Sequence, residues 1–193
     1  MIHILGNGDL SKEFISFSDF NSDEIKVYSK EEFTSKKFKN YISKQDKLFI
    51  PIADPIIRKK VFGYIMSLGI IPSTFIHPSV IVGKRSKIGI GCIIQPNTII
   101  SNDVIIGDSV FINMNSNIAH DVTVLDHSSI MVNANIGGHC EIGESVFIGT
   151  GVSLLPKIKI TSDVKIGIGA VVLNNLNKQG TYLGNPAKIF FKK

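Results

Sequence analysis

The chain has 193 residues, of which 44% are hydrophobic and 19% are charged, with a formal net charge of +5. This composition is too apolar for a disordered chain, and two cysteines are too few for a disulfide framework or a zinc cluster. No apolar run approaches the roughly 18 residues of a membrane span and no secretory leader is recognisable, so we expect a cytoplasmic protein. The positive charge is diffuse and lacks an aromatic platform, which disfavours a nucleic-acid partner but suits an anionic small molecule.

The N-terminal segment, residues 1–75, predicts a small α/β unit. Strands are expected at Ile2–Leu5, at Ile25–Tyr28 and at residues 48–52. One helix is expected to follow the first strand and to run through Phe17, and a second begins after the capping residue Asp54 and is closed by Pro72. Strands that alternate with helices indicate a small parallel, Rossmann-like sheet.

A loop with two glycines joins the first predicted strand to the first helix. Gly6, Asn7 and Gly8 lie in this loop, and Ser11 follows them. The backbone N–H groups of such a loop, together with a helix N-terminus, can hold a phosphate. A tight turn without a ligand explains the same residues. Because no acidic ribose partner is clear about twenty residues further on, the loop does not predict NAD binding.

From residue 76 onward the chain has a period of six. Every sixth residue is aliphatic, 17 times without an insertion: Ile76, Val82, Ile88, Ile94, Ile100, Ile106, Ile112, Ile118, Val124, Ile130, Ile136, Ile142, Ile148, Leu154, Ile160, Ile166 and Val172. Neither the period of a helix nor that of an ordinary strand explains this pattern. It is typical of a parallel β-helix of hexapeptide repeats, in which three hexads close one triangular coil. Repeated glycines such as Gly143 are expected to permit the turns. Cys92 and Cys140 fall on a small interior position, and we expect both to be core residues.

Three segments carry a resemblance to a known family. They are the loop at residues 6–11, the segment IADPIIRKK at 52–60, and the stretch INMNSNIAHD at 112–121 with the ending GNPAK at 184–188. Together they resemble the bacterial sugar acetyltransferases, which include UDP-4-amino-sugar N-acetyltransferases and sialic-acid O-acetyltransferases. The resemblance implies a sugar-nucleotide-binding domain at residues 1–75. It also implies a left-handed β-helix acyltransferase domain at residues 76–193 with a C-terminal tail, acetyl-CoA as cosubstrate, and a homotrimer.

The resemblance also implies roles for individual residues. His120 is expected to be the general base, assisted by Asp121. This agrees with its place on a turn, where an outward imidazole can take a proton from an amine or hydroxyl. Asn113 and the loop Gly6, Asn7 and Gly8 are expected to bind the sugar nucleotide. Gly138, one coil after His120, matches a glycine whose N–H contacts the thioester carbonyl. The implied coenzyme A strip consists of Gly149, Thr150, Gly167, Ile168, Gly169, Asn185 and Lys188.

We therefore predict direct N-acetylation of a nucleotide-linked amino sugar in surface-glycan biosynthesis, without a metal. O-acetylation of sialic acid or another sugar is the alternative, and a longer acyl group than acetyl stays open. His127 and His139 are competing bases, and Ser129 stands where some family members carry a second active-site histidine. Two other classes stay open: a non-catalytic hexapeptide scaffold, and a metal-dependent, carbonic-anhydrase-like enzyme with three converging histidines.

Apolar residues occupy outward positions of several hexads, where an isolated prism would be polar. They are Ile93, Ile99, Ile105, Phe111, Leu125, Met131 and Phe147. A contiguous apolar surface of this kind marks an interface. Because the resembled family forms trimers with clefts between adjacent solenoids, we expect these residues to form the trimer contact and the sites to lie between subunits.

Overall fold

The computed structural model describes residues 1–35 and 37–190. Its first part is a three-stranded parallel sheet in the order β2–β1–β3, with β1 (Ile2–Leu5), β2 (Ile25–Tyr28) and β3 (Lys47–Phe49). The accompanying helices are α1 (Asp9–Phe17), α2 (Lys30–Phe33) and α3 (Pro55–Ser67), with short 3₁₀ helices at Ser22–Glu24 and Phe38–Tyr41. The predicted bounds of β1 and β2 are confirmed. No described helix has the length and apolar character needed to cross a membrane.

Helix α3 begins where the sequence predicts. The carboxylate of Asp54 accepts a hydrogen bond from the backbone N–H of Ile57 at 2.9 Å, and Pro55 occupies the first turn. The apolar spacing in the sequence predicts that this helix buries Ile57, Val61, Tyr64, Ile65 and Leu68, and this prediction is only partly correct. Ile65 is buried in the core, whereas Ile57 is 53% exposed and the charged residue Arg58 is buried instead.

The second part is a parallel β-solenoid, as the period of six predicts. Its first face contains β4 (Phe75–Ile76), β7 (Ile93–Ile94), β10 (Phe111–Ile112), β13 (Ser129–Ile130), β16 (Phe147–Ile148), β19 (Val164–Ile166), β21 (Gly180–Leu183) and the antiparallel β22 (Lys188–Phe190). Its second face contains β5 (Ile81–Val82), β8 (Ile99–Ile100), β11 (Asn117–Ile118), β14 (Asn135–Ile136), β17 (Ser153–Leu154) and β20 (Val171–Val172). Its third face contains β6 (Lys87–Ile88), β9 (Ile105–Ile106), β12 (Thr123–Val124), β15 (Glu141–Ile142) and β18 (Lys159–Ile160).

The repeated aliphatic side chains fill the interior of this solenoid. Strands of successive coils pair in register three hexads apart, so that Ile94, Ile112 and Ile130 stack in one column and are 0% exposed. Each buried aliphatic side chain contributes roughly 1.5–3 kcal/mol to folding. Cys92 and Cys140 are free, buried members of the same core, as expected. The stack gives the corners of the solenoid a fixed backbone.

The corners contain one residue in the left-handed conformation every six residues. Glycine takes this place at Gly91, Gly151 and Gly169, and twelve other residues also adopt it, with φ between 53° and 66°: Arg85, Asn97, Asp103, Ser109, Asn115, Asp121, His127, Asn133, His139, Ser145, Lys157 and Asp163. Most of these are Asn, Asp, His or Ser, of which Asn, Asp and His are enriched in this conformation. The repeated glycines that are expected to permit the turns lie two residues earlier and serve another purpose. A Cβ at Gly143 would lie 2.5 Å from the backbone nitrogen of Ser162 in the next coil.

The first face of the solenoid packs against the N-terminal sheet. Ile93 and Phe111 are completely buried, in one cluster with Phe14 and Phe49. The expectation that these two outward residues form a trimer contact is therefore wrong, because the chain's own N-terminal unit covers them.

The remaining outward apolar residues divide by face. Phe147 lies on the first face and Met131 directly follows one of its strands, and neither is exposed. Ile99 on the second face, Ile105 on the third and Leu125 beside it are 42%, 50% and 48% exposed. Only these last three of the seven keep an exposed apolar surface of the kind that marks an interface.

Candidate active site

We name the corners of the solenoid by the faces they join: the first corner joins the first and second faces, the second corner joins the second and third, and the third corner joins the third and first. His120 and Asp121 lie at the second corner, between β11 and β12. Their side chains are 52% and 44% exposed, and Nδ1 of His120 lies 2.7 Å from Oδ2 of Asp121. Because an ionised carboxylate only accepts hydrogen bonds, we assign the ring proton to Nδ1. The lone pair then lies on Nε2, where it can accept a proton.

Gly138 lies one coil above His120 and in contact with this nitrogen. A Cβ at Gly138 would lie 2.9 Å from both Nε2 and Cε1 of His120, so any larger residue would displace the ring. Within residues 1–35 and 37–190, the N–H of Gly138 has no hydrogen-bond acceptor. The structure thus brings together a proton acceptor and a free backbone donor that lie three hexads apart in the sequence.

His139 approaches the same pair from the coil above. Its Nε2 lies 3.9 Å from Oδ2 of Asp121, and its ring is nearly perpendicular to that of His120, with 5.1 Å between the ring centroids. The carboxylate of Asp121 therefore lies between two imidazoles. From the sequence alone, His139 is only a competing base. The spacing of three hexads between Asp121 and His139 is the signal that places them in one column.

An ion pair lies directly below these residues at the second corner. Arg85 donates to Asp103 through Nε at 2.6 Å and through Nη2 at 2.5 Å. The guanidinium of Arg85, assisted by Asn102, lowers the pKa of Asp103 to about 2. This pairing holds the Arg85 side chain on Asp103, one coil below Asp121.

His127 lies elsewhere, at the third corner. Its ring packs edge-on against Phe62 of α3, with 5.4 Å between centroids, and burial lowers its pKa. Its backbone carbonyl accepts a hydrogen bond from Arg58 at 2.5 Å. The three histidines of the metal-dependent alternative therefore do not converge, because His127 is turned toward α3 while His120 and His139 share the second corner.

Ser129 is also separate from the dyad. It is fully buried on β13, donates to the carbonyl of Ala53 at 2.6 Å and accepts from Arg58 at 2.8 Å. Ser129 stands where some family members carry a second active-site histidine. In this chain it joins the solenoid to Arg58 of α3.

Asn113 and the expected coenzyme strip lie at the first corner. Asn113 is buried there, and its Oδ1 accepts from the N–H of Met114 at 2.7 Å. Five residues of the expected coenzyme strip lie at this corner in the coils above Asn113: Gly149, Thr150, Gly167, Ile168 and Gly169. Asn185 lies at the top of the same corner, and Lys188 follows on β22. Within one chain the second face separates Asn113 and the coenzyme strip from His120. Gly138, in contrast, lies next to His120.

A cavity of about 610 Å³ opens at the loop between β1 and α1. The loop residues Gly6, Asn7 and Gly8 form one wall, and Lys30 and Lys60 form part of another. The rest of the wall is largely apolar: Phe33, Thr34, Ile52, Ile57, Val61 and Tyr64. The exposure of Ile57 is thereby explained, because it lines this cavity. The loop is recognisable from the sequence, whereas neither lysine is.

No protein-family model matches the chain. Among curated proteins, serine acetyltransferase of Buchnera aphidicola is 43% identical over 51 residues, which are 26% of this chain and 19% of that protein. Serine acetyltransferase of Staphylococcus aureus is 41% identical over 51 residues, which are 24% of its length. The chain therefore matches about a fifth to a quarter of the length of these relatives.

Solved structures match along nearly the entire chain. A mutant of GDP-perosamine N-acetyltransferase from Caulobacter crescentus, in complex with CoA and GDP-perosamine, has a TM-score of 0.87 at 22% identity and covers 99% of this chain and 97% of its own. The acetyltransferase domain of PglB from Neisseria gonorrhoeae, in complex with acetyl coenzyme A, has a TM-score of 0.85 at 23% identity and covers 98% of each chain. The chain has the same fold as these two acetyltransferase structures. The resemblance inferred from the sequence is confirmed at this level.

Within this fold, the candidate residues occupy three separate places. The dyad lies at the second corner, the expected coenzyme strip at the first, and the loop cavity in the N-terminal unit. That unit covers the first face, and the second corner of a triangular prism is opposite the first face. The loop cavity and His120 of one chain therefore lie on opposite sides of the solenoid.

Proposed function

We propose that the protein is an acetyl-CoA-dependent N-acetyltransferase that acts on a nucleotide-linked amino sugar in bacterial surface-glycan biosynthesis. The observation that carries this proposal is the His120–Asp121 dyad with Nε2 beside Gly138. The sugar amine attacks the thioester carbonyl and transfers its proton to Nε2, while Asp121 stabilises the resulting imidazolium. The N–H of Gly138 stabilises the oxyanion. Collapse of the intermediate gives the amide, and the departing thiolate takes the proton back from His120.

The comparisons support this substrate class. The Caulobacter crescentus protein is named as an N-acetyltransferase and was solved with CoA and GDP-perosamine, and the PglB domain was solved with acetyl coenzyme A. The exposed dyad disfavours a non-catalytic scaffold. O-acetylation of sialic acid is the second candidate, since a base at this place serves a hydroxyl as well as an amine. We further propose that the β-helix is left-handed and that the chain divides into domains at residues 1–75 and 76–193. We also propose a cytoplasmic location.

We propose that the loop cavity holds the sugar nucleotide. Backbone N–H groups near Gly8 and the start of α1 suit a pyrophosphate, and Lys30 and Lys60 bring positive charge to the same cavity. The wall that includes Ile57 and Tyr64 is apolar enough to receive a base.

Gly8→Trp is expected to raise the KM for the sugar nucleotide at least about tenfold and to leave the KM for acetyl-CoA nearly unchanged. Gly8 has negative φ and a Cβ added to it would meet nothing within 4 Å, so the indole extends into the cavity without disturbing the loop. Steady-state kinetics with each substrate varied checks this, and a tenfold change corresponds to about 1.4 kcal/mol. Gly63→Trp, at an equally open exposed glycine outside the cavity, is the matched control. An unchanged sugar KM in Gly8→Trp would refute the placement.

We propose a homotrimer with sites between subunits. A loop cavity and a dyad on opposite sides of one solenoid do not act on one substrate together. A neighbouring solenoid can bring its first corner, with the coenzyme strip, against the second corner of the next chain. The exposed apolar residues Ile99, Ile105 and Leu125 flank the second corner on both sides and provide the contact surface.

Ile105→Asp is expected to dissociate the trimer and to abolish activity together. Ile105 is 50% exposed in the single chain, so the charge leaves the folded subunit intact but would be buried in the interface. Light scattering should give three times the 21.1 kDa of one chain for the wild type and one chain for the variant. Ile71→Asp, at a 67% exposed isoleucine outside the solenoid, should remain a trimer. A monomeric wild type at micromolar concentration would contradict the proposal.

Gly138→Ala is expected to lower kcat by about 100-fold, because the added Cβ displaces the His120 ring and a shift of about 1 Å has this effect. Thermal unfolding should change much less than activity, since His120 is half-exposed and can rotate away. Gly63→Ala, which has open space at its Cβ, controls for the added methyl group. Full activity of Gly138→Ala would show that His120 does not act as the base from its position beside Gly138.

The proposed function is tested most directly by a panel of acceptors. Thiol release from acetyl-CoA is measured with nucleotide-linked amino sugars and, separately, with free sialic acids. Turnover with an amino-sugar nucleotide supports the proposal. Turnover with sialic acids alone would favour the O-acetylation candidate, and no turnover with either class would contradict both.

A further inference from the structure

His120, Asp121 and His139 combine three metal-ligating side chains at the second corner. One ligand atom from each lies within 4.8 Å of the others, and no second group of three such residues occurs in the part of the chain that the structure describes. Each side chain is about half exposed, at 52%, 44% and 52%. An ion with its hydration waters can therefore reach all three.

The spacing of these atoms suits a small tetrahedral ion. Zinc binds imidazole nitrogen and carboxylate oxygen at about 2.0–2.2 Å, which places two ligands of a tetrahedral site about 3.4 Å apart. The carboxylate oxygen Oδ2 of Asp121 lies 2.7 Å from Nδ1 of His120 and 3.9 Å from Nε2 of His139. The two observed distances bracket the required one, and one ligand atom of each residue lies within 4.8 Å of the others, so the site closes by movements of exposed side chains.

The backbone under the cluster is fixed by the solenoid. Asp121 and His139 hold equivalent left-handed positions in consecutive coils, and the N–H of His139 donates to the carbonyl of His120 at 3.0 Å. The cationic side chain of Arg85, whose backbone lies two coils below Asp121, is held on Asp103. The three ligands are therefore brought together by the fold, and the ion pair of Arg85 is with Asp103.

We propose that this cluster is an inhibitory site for a divalent transition cation of the zinc type. Nδ1 of His120, the carboxylate of Asp121 and Nε2 of His139 supply three ligands, and water completes the fourth position. Two imidazoles and one carboxylate suit zinc better than magnesium or calcium, which prefer oxygen ligands. The inhibition, although not the binding, rests on the proposed function. A cation on Nδ1 leaves the ring proton on Nε2, and that nitrogen no longer accepts a proton from the amine.

Binding is tested by titrating chelator-treated protein with zinc chloride in a calorimeter. One zinc ion per wild-type chain is expected. His139→Asn and Asp121→Asn should each weaken the affinity at least about tenfold, the lower end of what even an outer-shell partner contributes. His77→Asn, which removes a histidine that contacts Ser79 and lies outside the cluster, should bind zinc like the wild type. Absence of saturable binding, or unchanged affinity in His139→Asn, would overturn the site.

Inhibition is measured separately by quantifying the acetylated sugar with mass spectrometry. The thiol-release assay is unsuitable here, because zinc also binds the free thiol of the coenzyme A that is released. Zinc should inhibit the wild type, and EDTA should restore the rate. Each variant is compared with its own zinc-free rate, and the inhibition constant of His139→Asn should rise at least about tenfold. Normal activity at saturating zinc would overturn the inhibition. Zinc binding with the expected variant pattern, but no acetyl transfer in zinc-free buffer, would refute the proposed function and leave the metal site standing.

Discussion

Replacing His120 by alanine is expected to lower kcat for acetyl transfer by about 10²–10⁴, the usual contribution of a general base. The side chain is half-exposed at a corner, so its loss leaves the hydrophobic stack of the solenoid intact. Steady-state kinetics give the effect on kcat, and thermal unfolding shows whether the fold survives. Asp121→Asn should cost less than His120→Ala, because the amide still occupies the place beside Nδ1 but no longer stabilises the imidazolium.

His127→Ala is the matched control for this experiment. Both histidines lie at corners of consecutive hexads, but the His127 ring packs on Phe62 and lies outside the dyad. Its replacement should affect stability more than kcat, because it removes a contact between α3 and the solenoid. Full activity of His120→Ala together with loss of activity in His127→Ala would move the base to the third corner and contradict the assignment.

The architecture of the solenoid could be predicted from the sequence because each coil repeats one local rule. An aliphatic residue every six positions defines the interior, and Ile112 and Ile130 pair across one coil, as the closure of three hexads requires. The pair His120–Asp121 and Gly138 were expected from the family resemblance. The repeat adds that the pair lies at a single corner and that Gly138 lies one coil above His120.

Contacts between the two parts of the chain could not be predicted in this way. Ile93 and Phe111 are outward in their hexads, and the repeat alone does not say that the N-terminal sheet covers the first face. The buried place of Arg58 in α3 was missed for the same reason, because a charged residue reads as solvent-exposed unless the acceptors that surround it are known. The separation of Asn113 from His120, which lie at different corners of one solenoid, became visible only in the fold. The period of six also does not show which corners of neighbouring chains face each other in an assembly.

Arg58→Met is expected to destabilise the protein by about 3–5 kcal/mol, because it leaves several buried acceptors without a donor. Arg58 is 1% exposed, and burial lowers its pKa to about 9, so it still carries its charge at neutral pH. It donates to carbonyls of the segment before α3 and of the solenoid and to one hydroxyl: Ile52 at 2.5 Å, Ala53 at 3.3 Å, Ser109 at 2.8 Å, His127 at 2.5 Å, Ser128 at 2.9 Å and Oγ of Ser129 at 2.8 Å. One guanidinium thereby joins the N-terminal unit to two coils of the solenoid.

Thermal unfolding measures this loss, and a fall in Tm on the order of 10 °C is expected for a chain of this size. Arg58→Lys should recover only part of it, because one ammonium has three donors and no planar fork with which to reach acceptors on both sides. Lys60→Met, an exposed charge removal on the same helix, controls for the lost positive charge and should leave Tm nearly unchanged. Hydrogen exchange should localise the effect. Amides of α3 should exchange faster in Arg58→Met, whereas those of the upper coils keep their protection, because their aliphatic stack does not depend on Arg58. A variant with wild-type Tm would show that water replaces the guanidinium without cost and that the other contacts, those of Ile93 and Phe111 and of His127 with Phe62, hold the two parts together.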